Sequence, residues 1–95
     1  MSILITPTSP YSSDRKNVEP LNGTDYTREE LHELLDTNII ERIVLDDKHM
    51  FLIDEEGKMK EKLVNNDATY FLRKYHKTND FIAGNALFCK ISELK

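Results

Sequence analysis

The stretch YTREELHELL, residues 26–35, carries the strongest local structural signal in the chain. Thr27 and Glu30 have the T-x-x-E spacing of a capping box, in which the hydroxyl and the carboxylate each accept a hydrogen bond from a backbone amide of the first turn. Leucines then recur with helical spacing, which gives the segment one apolar face. The stretch predicts a helix over residues 28–35 whose apolar face packs on neighbouring strands.

Downstream of this helix, β-branched and apolar runs alternate with turn residues. We expect Asn38 to end the helix in a left-handed conformation. Three strands are then predicted, at residues 39–45, 49–53 and 59–64. They are joined by short acidic turns, in the second of which Gly57 is expected to supply a positive φ. Connections this short favour an antiparallel meander.

A second helix and a last strand are predicted in the C-terminal part of the chain. Polar residues at 65–67 offer helix caps ahead of apolar residues spaced on one face, and this helix is expected to end near Lys77. Residues 81–91 predict a strongly apolar strand. Gly84 and Asn85 interrupt it, a pair typical of a bulge or of a close backbone approach.

The N-terminal part predicts less regular structure. Residues 3–6 indicate a short strand, and the polar, turn-rich sequence after Pro7 indicates an irregular loop over about residues 7–20. The predicted fold class is therefore α+β, in a single domain over residues 1–95. It consists of a small antiparallel sheet of about four to five strands packed against one main helix, with a second short helix before the last strand.

The composition limits the classes of function. Thirteen lysines and arginines stand against 17 aspartates and glutamates, a net charge of -4, so a nucleic-acid backbone would be repelled on average. The one cysteine fits a reducing cytosol. Neither a signal peptide nor a long apolar run is visible, so we expect a cytoplasmic protein without membrane contact. Self-association would widen the thin stability margin of so short a chain, which makes a homo-oligomer one expectation.

Candidate residues for catalysis or metal binding are few. His32, His49 and His76 do not have the spacing of metal ligands, and we interpret them as surface or boundary residues. Cys89 lies in an apolar run, where a thiol behaves as a small hydrophobe rather than as a nucleophile. With three glycines in all, the chain lacks a glycine-rich phosphate loop. The sequence thus predicts no catalytic residue, no metal site and no cofactor, and a protein that is not an enzyme.

One segment combines the side chains that can hold a nucleotide. Residues 70–77 interleave aromatic and cationic groups. The candidate ligand- or partner-binding residues are Tyr70, Arg73, Lys74, Tyr75 and Lys77. Aromatic rings can stack on a base, and cations can bind a phosphate. The alternative is an ordinary amphipathic helix, with its apolar side chains in the core and its cations in solvent.

The order of several short motifs resembles a known family. The motifs are NGTDYTREEL at 22–31, DEEGK at 54–58, NNDAT at 65–69 and DFIAGNALFC at 80–89. Over roughly residues 18–92, they resemble the domain of unknown function 3846, an uncharacterised family found in phages and in mobile elements of gut bacteria. The resemblance implies a small α+β fold and a phage or mobile-element origin. It supplies no established catalytic residue.

Together, these observations favour a protein that acts by binding. The first hypothesis is a non-enzymatic phage or mobile-element accessory protein in the host cytoplasm, which sequesters a nucleotide immune signal or masks a host defence protein. Its partner would be a small nucleotide-like ligand or a host or phage protein. The alternative is a structural or assembly component of a virion. A small hydrolase, with a site assembled from residues distant in sequence, is less favoured.

Overall fold

The computed structural model describes residues 2–94, which form five strands and two helices. In chain order, the elements are β1 (Ser2–Ser9), β2 (Ser12–Val18), α1 (Arg28–Leu35), β3 (Ile40–Val44), β4 (His49–Asp54), α2 (Asn66–Tyr75), β5 (Ala86–Lys90) and a 3-10 turn (Ile91–Glu93). The strands form one sheet in the order β2-β1-β5-β4-β3, and all neighbours pair antiparallel. The predicted α+β class is confirmed, including the second helix before the last strand.

The two helices lie on opposite faces of the sheet. Alternate residues of β4 belong to two separate clusters of buried side chains. Leu52 is in the cluster with Leu35 of α1, whereas Phe51 is in the cluster with Leu72 of α2. Because successive strand residues point to opposite faces, the central strands are covered on both sides. The sheet is therefore the middle layer of three.

The first helix has the predicted bounds. The hydroxyl of Thr27 accepts from the backbone amide of Glu30, and the carboxylate of Glu30 accepts from the amide of Thr27, so the capping box is confirmed. The predicted end residue is wrong, because Asp36, at φ 53°, adopts the left-handed conformation in place of Asn38. Aspartate tolerates this conformation because its short polar side chain can bond locally.

The irregular loop predicted over about residues 7–20 is wrong for most of its length. Residues 12–18 form β2, which pairs with β1 from Ser2 opposite Val18 to Ser9 opposite Ser12. The strand lies at the edge of the sheet, and most of its side chains are exposed. Polar residues with turn propensity are tolerated there because backbone pairing with β1, rather than side-chain burial, stabilises the strand.

The hairpin predicted over residues 39–53 is confirmed as β3 and β4, but the third predicted strand, at 59–64, is not formed. Residues 59–61 lie in turns, residues 62–63 have no regular structure, and Val64 makes only an isolated bridge. The positive φ expected for Gly57 is also wrong. Glycine is required there by space, because a Cβ would lie 2.3 Å from the carbonyl oxygen of Ala83.

The last strand is shorter than the predicted segment at 81–91. Gly84, at φ 90°, precedes β5, so the extended ladder begins only at Ala86. A Cβ on Gly84 would lie 2.8 Å from the side chain of Lys62, which agrees with the close approach expected at this position. From there β5 runs through the middle of the sheet, between β1 and β4.

Candidate functional site

An open groove lies between α1 and the edge strand β3, and we call it the α1–β3 groove. α1 packs on β4 and β5, so the side chains of β3 on this face become part of the groove lining. Its floor includes the apolar residues Leu31, Ile40 and Leu52. The volume is about 800 Å³, within the roughly 300–1,000 Å³ that small-molecule sites occupy.

Three basic side chains line this groove. Arg28 and His32 are one turn apart on the same side of α1, and Arg42 comes from β3 across the groove. None of the three makes a hydrogen bond or an ion pair with any residue from 2 to 94. The guanidinium donors are therefore available to a carboxylate or a phosphate, which they can bind in a bidentate manner.

The four arginines of the chain divide into two pairs. Arg15 Nε donates to Asp67 Oδ2 at 2.9 Å, and its guanidinium lies over an aromatic ring of α2. Arg73 donates to the backbone carbonyl oxygens of Asn79 and Asp80, at 3.1 and 3.2 Å. The guanidinium groups of these two arginines are therefore bonded to other residues of the protein. The two that have no such contact in the described chain both line the α1–β3 groove.

The other side of α1 carries the opposite charge. A second groove, of about 480 Å³, lies between α1 and β1–β2, and Glu19, Glu30 and Glu33 are among its lining residues. The carboxylate of Glu30 is engaged, because the backbone amides of Thr27 and Leu21 donate to it and hold its pKa below the ordinary value. α1 thus separates a groove lined by basic side chains from one lined by acidic side chains.

Asp54, at the end of β4, is the centre of a buried polar cluster. Its fully buried carboxylate accepts from Lys62 Nζ at 2.8 Å, from Lys60 Nζ at 3.1 Å and from the Thr37 hydroxyl at 2.9 Å. Burial acts to raise the pKa of Asp54, but these donors outweigh it and lower the pKa to about 2. Lys62 also donates to the carbonyl of Asp36. The cluster therefore ties the end of α1 to the turn segment, and we interpret it as structural.

The five residues predicted as a site lie on α2 and just beyond it, but they do not line one pocket. Tyr70 and Lys74 face outward and contact each other, with Lys74 Nζ 4.9 Å from the centre of the tyrosine ring. Arg73 turns towards the following loop, where it bonds two carbonyls. Tyr75 lines a cleft against the sheet, and Lys77 is exposed beyond the end of α2.

The cleft beside Tyr75 is small and apolar. Its volume is about 100 Å³, and Phe71, Phe88 and Arg15 contribute to its walls. The charge of Arg15 is compensated by the ion pair with Asp67. A nucleotide needs more space than this cleft offers, because ligand sites begin at roughly 300 Å³.

The remaining candidates for chemistry are buried or engaged. Cys89 is buried as expected, and burial raises the pKa of its thiol to about 12, so the thiolate does not form near neutral pH. His49 Nδ1 lies 3.1 Å from the carboxylate of Asp46, and His76 Nε2 lies 2.8 Å from a backbone carbonyl of β3. Across residues 2–94, no three His, Cys, Asp or Glu side chains are grouped to hold a metal ion.

The sequence did not predict the α1–β3 groove. Arg28 and His32 stand four residues apart beside the leucine face of α1, and Arg42 follows Ile40 by two residues, on the same face of β3. Each pattern is visible separately. Their position on two sides of one groove depends on the order of the strands, because β3 must lie at the edge while α1 covers β4 and β5.

These features define a three-layer α+β protein with a basic groove beside its first helix. The family model described as a domain of unknown function, DUF3846, matches residues 3–94, and the chain therefore belongs to that family. No curated protein and no solved structure matches the chain. Between residues 2 and 94, no helix has the length and apolar character needed to cross a membrane.

Proposed function

We propose that this protein acts by binding, without catalysis, and that the α1–β3 groove takes a negatively charged partner. One observation carries the proposal: the two arginines that make no hydrogen bond, ion pair or ring contact within residues 2–94 line the same groove, Arg28 from α1 and Arg42 from β3. Free guanidinium groups over an apolar floor suit a ligand with both an anionic and an apolar part.

The side chains around the groove favour binding over turnover. Its lining residues include no carboxylate and no thiol among those described. Of the acid–base side chains in the lining, His32 makes no hydrogen bond within residues 2–94, whereas Tyr26 is buried and its hydroxyl donates to Ser2. General acid–base and nucleophilic mechanisms need at least one further group within hydrogen-bond distance of the reacting atoms. Arginines supply charge and geometry for recognition, but they stay protonated and do not transfer protons.

The partner belongs to one of the two classes expected from the sequence, a nucleotide-like signal or a protein of the host or phage. In this proposal, the protein is an accessory factor of a phage or mobile element and sequesters or masks its partner in the host cytoplasm. Both classes can present the phosphates or carboxylates that Arg28 and Arg42 would bind. In the alternative, a structural or assembly component of a virion, the same groove would bind other phage proteins.

The test is a titration followed by backbone amide NMR. The probes are pyrophosphate, a panel of linear and cyclic nucleotides, and acidic peptides, each at low and at physiological salt. We expect shifts at Arg28, His32 and Arg42 with at least one probe, weakening as salt rises. The double variant Arg28→Ala/Arg42→Ala should bind that probe at least about ten times more weakly, because each charge-assisted contact contributes about 1.5–3 kcal/mol.

The matched control removes two other cations, through Lys74→Ala/Lys77→Ala. These residues lie on the opposite face of the protein, with no ion pair in the described chain. Equal weakening by both double variants would mean that binding follows net charge alone, and the groove would then not be the site. The absence of shifts with every probe would contradict the proposed function itself.

A second candidate site is the outward face of α2. The contact between Lys74 and the ring of Tyr70, which is 59% exposed, forms the kind of surface on which a base can stack. The same titration decides between the two positions. Shifts confined to Tyr70, Lys74 and Lys77, with binding lost in Lys74→Ala/Lys77→Ala, would place the ligand on α2 instead of in the α1–β3 groove.

A further inference from the structure

One edge of β3 is free of any neighbouring strand in the described part of the chain. In an antiparallel pair, every second residue exchanges hydrogen bonds with the partner, and the residues between them direct their backbone groups away from it. Leu45 N–H donates to the His49 carbonyl, and Glu55 N–H donates to the Ile39 carbonyl, both at 3.0 Å. Odd-numbered residues therefore bond to β4. The residues that face the open edge are Ile40, Arg42 and Val44.

Part of this edge is already occupied. The carbonyl of Val44 accepts from His76 Nε2 at 2.8 Å, which agrees with its outward direction. Within residues 2–94, the backbone groups of Ile40 and Arg42 have no partner at the edge. The side chains of the same two residues line the α1–β3 groove. An unpaired strand edge thus forms one wall of a basic groove.

We propose that the occupant of the α1–β3 groove is an extended, acidic segment of a partner protein, which adds a strand beside β3. This inference rests on the proposed function and names the class of its partner. The backbone groups of Ile40 and Arg42 pair with the added strand, as in other cases of strand addition at a sheet edge. An acidic side chain of the segment lies between Arg28 and Arg42, and an apolar one covers Ile40.

Charge favours an acidic partner over a second copy of this chain. If two β3 edges paired antiparallel, the Arg42 side chains of both copies would lie on the same face of the joined sheet, next to the arginines of both α1 helices. Like charges on neighbouring strands destabilise a sheet. An acidic segment would neutralise the same arginines, and its carboxylates would have bidentate partners.

Hydrogen exchange separates strand addition from a purely electrostatic contact. The probe is a capped seven-residue peptide in which leucine and glutamate alternate with threonine. On binding, the amide protons of Ile40 and Arg42 should exchange at least about ten times more slowly, because they gain acceptors, while those of Glu41 and Ile43, already bonded to β4, should change little. Pyrophosphate should leave all four rates unchanged.

Backbone methylation of the peptide provides the second test. One version carries N-methyl groups on its leucine and glutamate, and the other carries the same number on its threonines. Only one of these two sets of amides faces β3, so one version should bind about ten times more weakly than the other. Weaker binding of either version supports strand addition. Which of the two versions binds more weakly shows whether the added strand runs parallel or antiparallel to β3.

Three outcomes would overturn the inference. Equal affinity of the two methylated peptides, or unchanged exchange rates of the Ile40 and Arg42 amides on peptide binding, would show that the peptide does not pair with the edge. In that case the proposed function would stand if Arg28→Ala/Arg42→Ala still weakened binding. Binding of nucleotides but not of the peptide would reject an acidic protein segment as the partner, whereas the proposed function would stand. A concentration-dependent dimer that protects Ile40 and Arg42 without peptide would show that a second copy occupies the edge.

Discussion

The two helical layers are attached to the sheet in different ways. α2 is tied to it by polar side chains: Asn65 bonds the carbonyls of Ile5 and Gly84, and the hydroxyl of Thr69 accepts from the amide of Ile82. α1 packs through its leucines and accepts polar bonds at its C-terminal end, from Asn85 at the Leu34 carbonyl and from Lys62 at the Asp36 carbonyl. Its basic side chains, Arg28 and His32, make no hydrogen bond or ion pair within residues 2–94. Polar side chains that complete the fold are not available to a ligand. The arginine of α2 is engaged in this way and the arginine of α1 is not, so the α1 layer is the better place to look for a site.

The largest expected effect tests the polar attachment of α2. Asn65→Ala should lower the free energy of unfolding by about 4 kcal/mol. The variant loses the cap of α2, worth about 1 kcal/mol, and removes the side-chain donor of two buried carbonyls, at about 1–3 kcal/mol each. Urea unfolding followed by circular dichroism measures the change, and a domain of this size would retain little stability.

The neighbouring residue is the matched control for this variant. The amide of Asn66 makes one exposed bond, to the carbonyl of Pro10, so Asn66→Ala should cost no more than about 1 kcal/mol. If Asn65→Ala proved as mild as Asn66→Ala, the polar bonds of α2 would not stabilise the protein, and the contrast between the two layers would disappear.

The second prediction concerns the polar anchor at the end of α1. The pKa of Asp54 is lowered in the folded protein to about 2, from an ordinary value of 3.8, so the carboxylate stabilises the fold above pH 3.8. This contribution is lost as the pH falls from about 4 to about 2. At about 1.4 kcal/mol per pKa unit, the loss amounts to about 2 kcal/mol. The free energy of unfolding, measured in urea at several pH values, would show it.

Asp54→Asn isolates this titration from those of other carboxylates. The variant should be less stable than the wild type at pH 7, because Lys62 loses a buried anionic partner. The difference between the two proteins should shrink between pH 4 and pH 2, where the wild-type carboxylate takes up its proton. A difference that stays constant over this window would show that Asp54 keeps an ordinary pKa.

The sequence predicted the elements with local signals. The capping box at Thr27 predicted the bounds of α1, a β-branched run predicted β3, and the acidic turn after it predicted the returning strand β4, because these signals act within a few residues. β2 was missed since its polar residues are held by pairing with β1. The turns at 59–61 were missed because Lys60 and Lys62 bond a carboxylate from another element, which no local pattern records.

Local sequence was likewise insufficient for the site predicted on α2. Composition alone marked the basic and aromatic residues of that helix, and it could not show that Arg73 bonds the following loop or that Tyr75 turns to the sheet. Arg28 and Arg42 are 14 positions apart in the sequence and meet only because β3 is the edge strand. Which cations remain free is a property of the whole fold.

The third prediction compares an engaged arginine with the free ones. Arg15→Ala removes the ion pair with Asp67 and the contact over Phe71, so it should lower the free energy of unfolding by about 1 kcal/mol. The pair is half exposed, which keeps the effect small. Thermal unfolding at low and at high salt measures it, and a loss that did not weaken with salt would show that packing on Phe71, rather than charge, is responsible.

The smallest expected effect tests the contrast between the engaged arginines and the two that line the α1–β3 groove. Arg28→Ala/Arg42→Ala should change the free energy of unfolding by no more than about 0.5 kcal/mol, because neither side chain has a hydrogen bond, ion pair or ring contact to lose within residues 2–94 and surface substitutions seldom do more. Urea unfolding beside Arg15→Ala provides the comparison. A loss of 1 kcal/mol or more would show that these arginines support the fold, and weaker binding by the variant could then no longer be assigned to the α1–β3 groove.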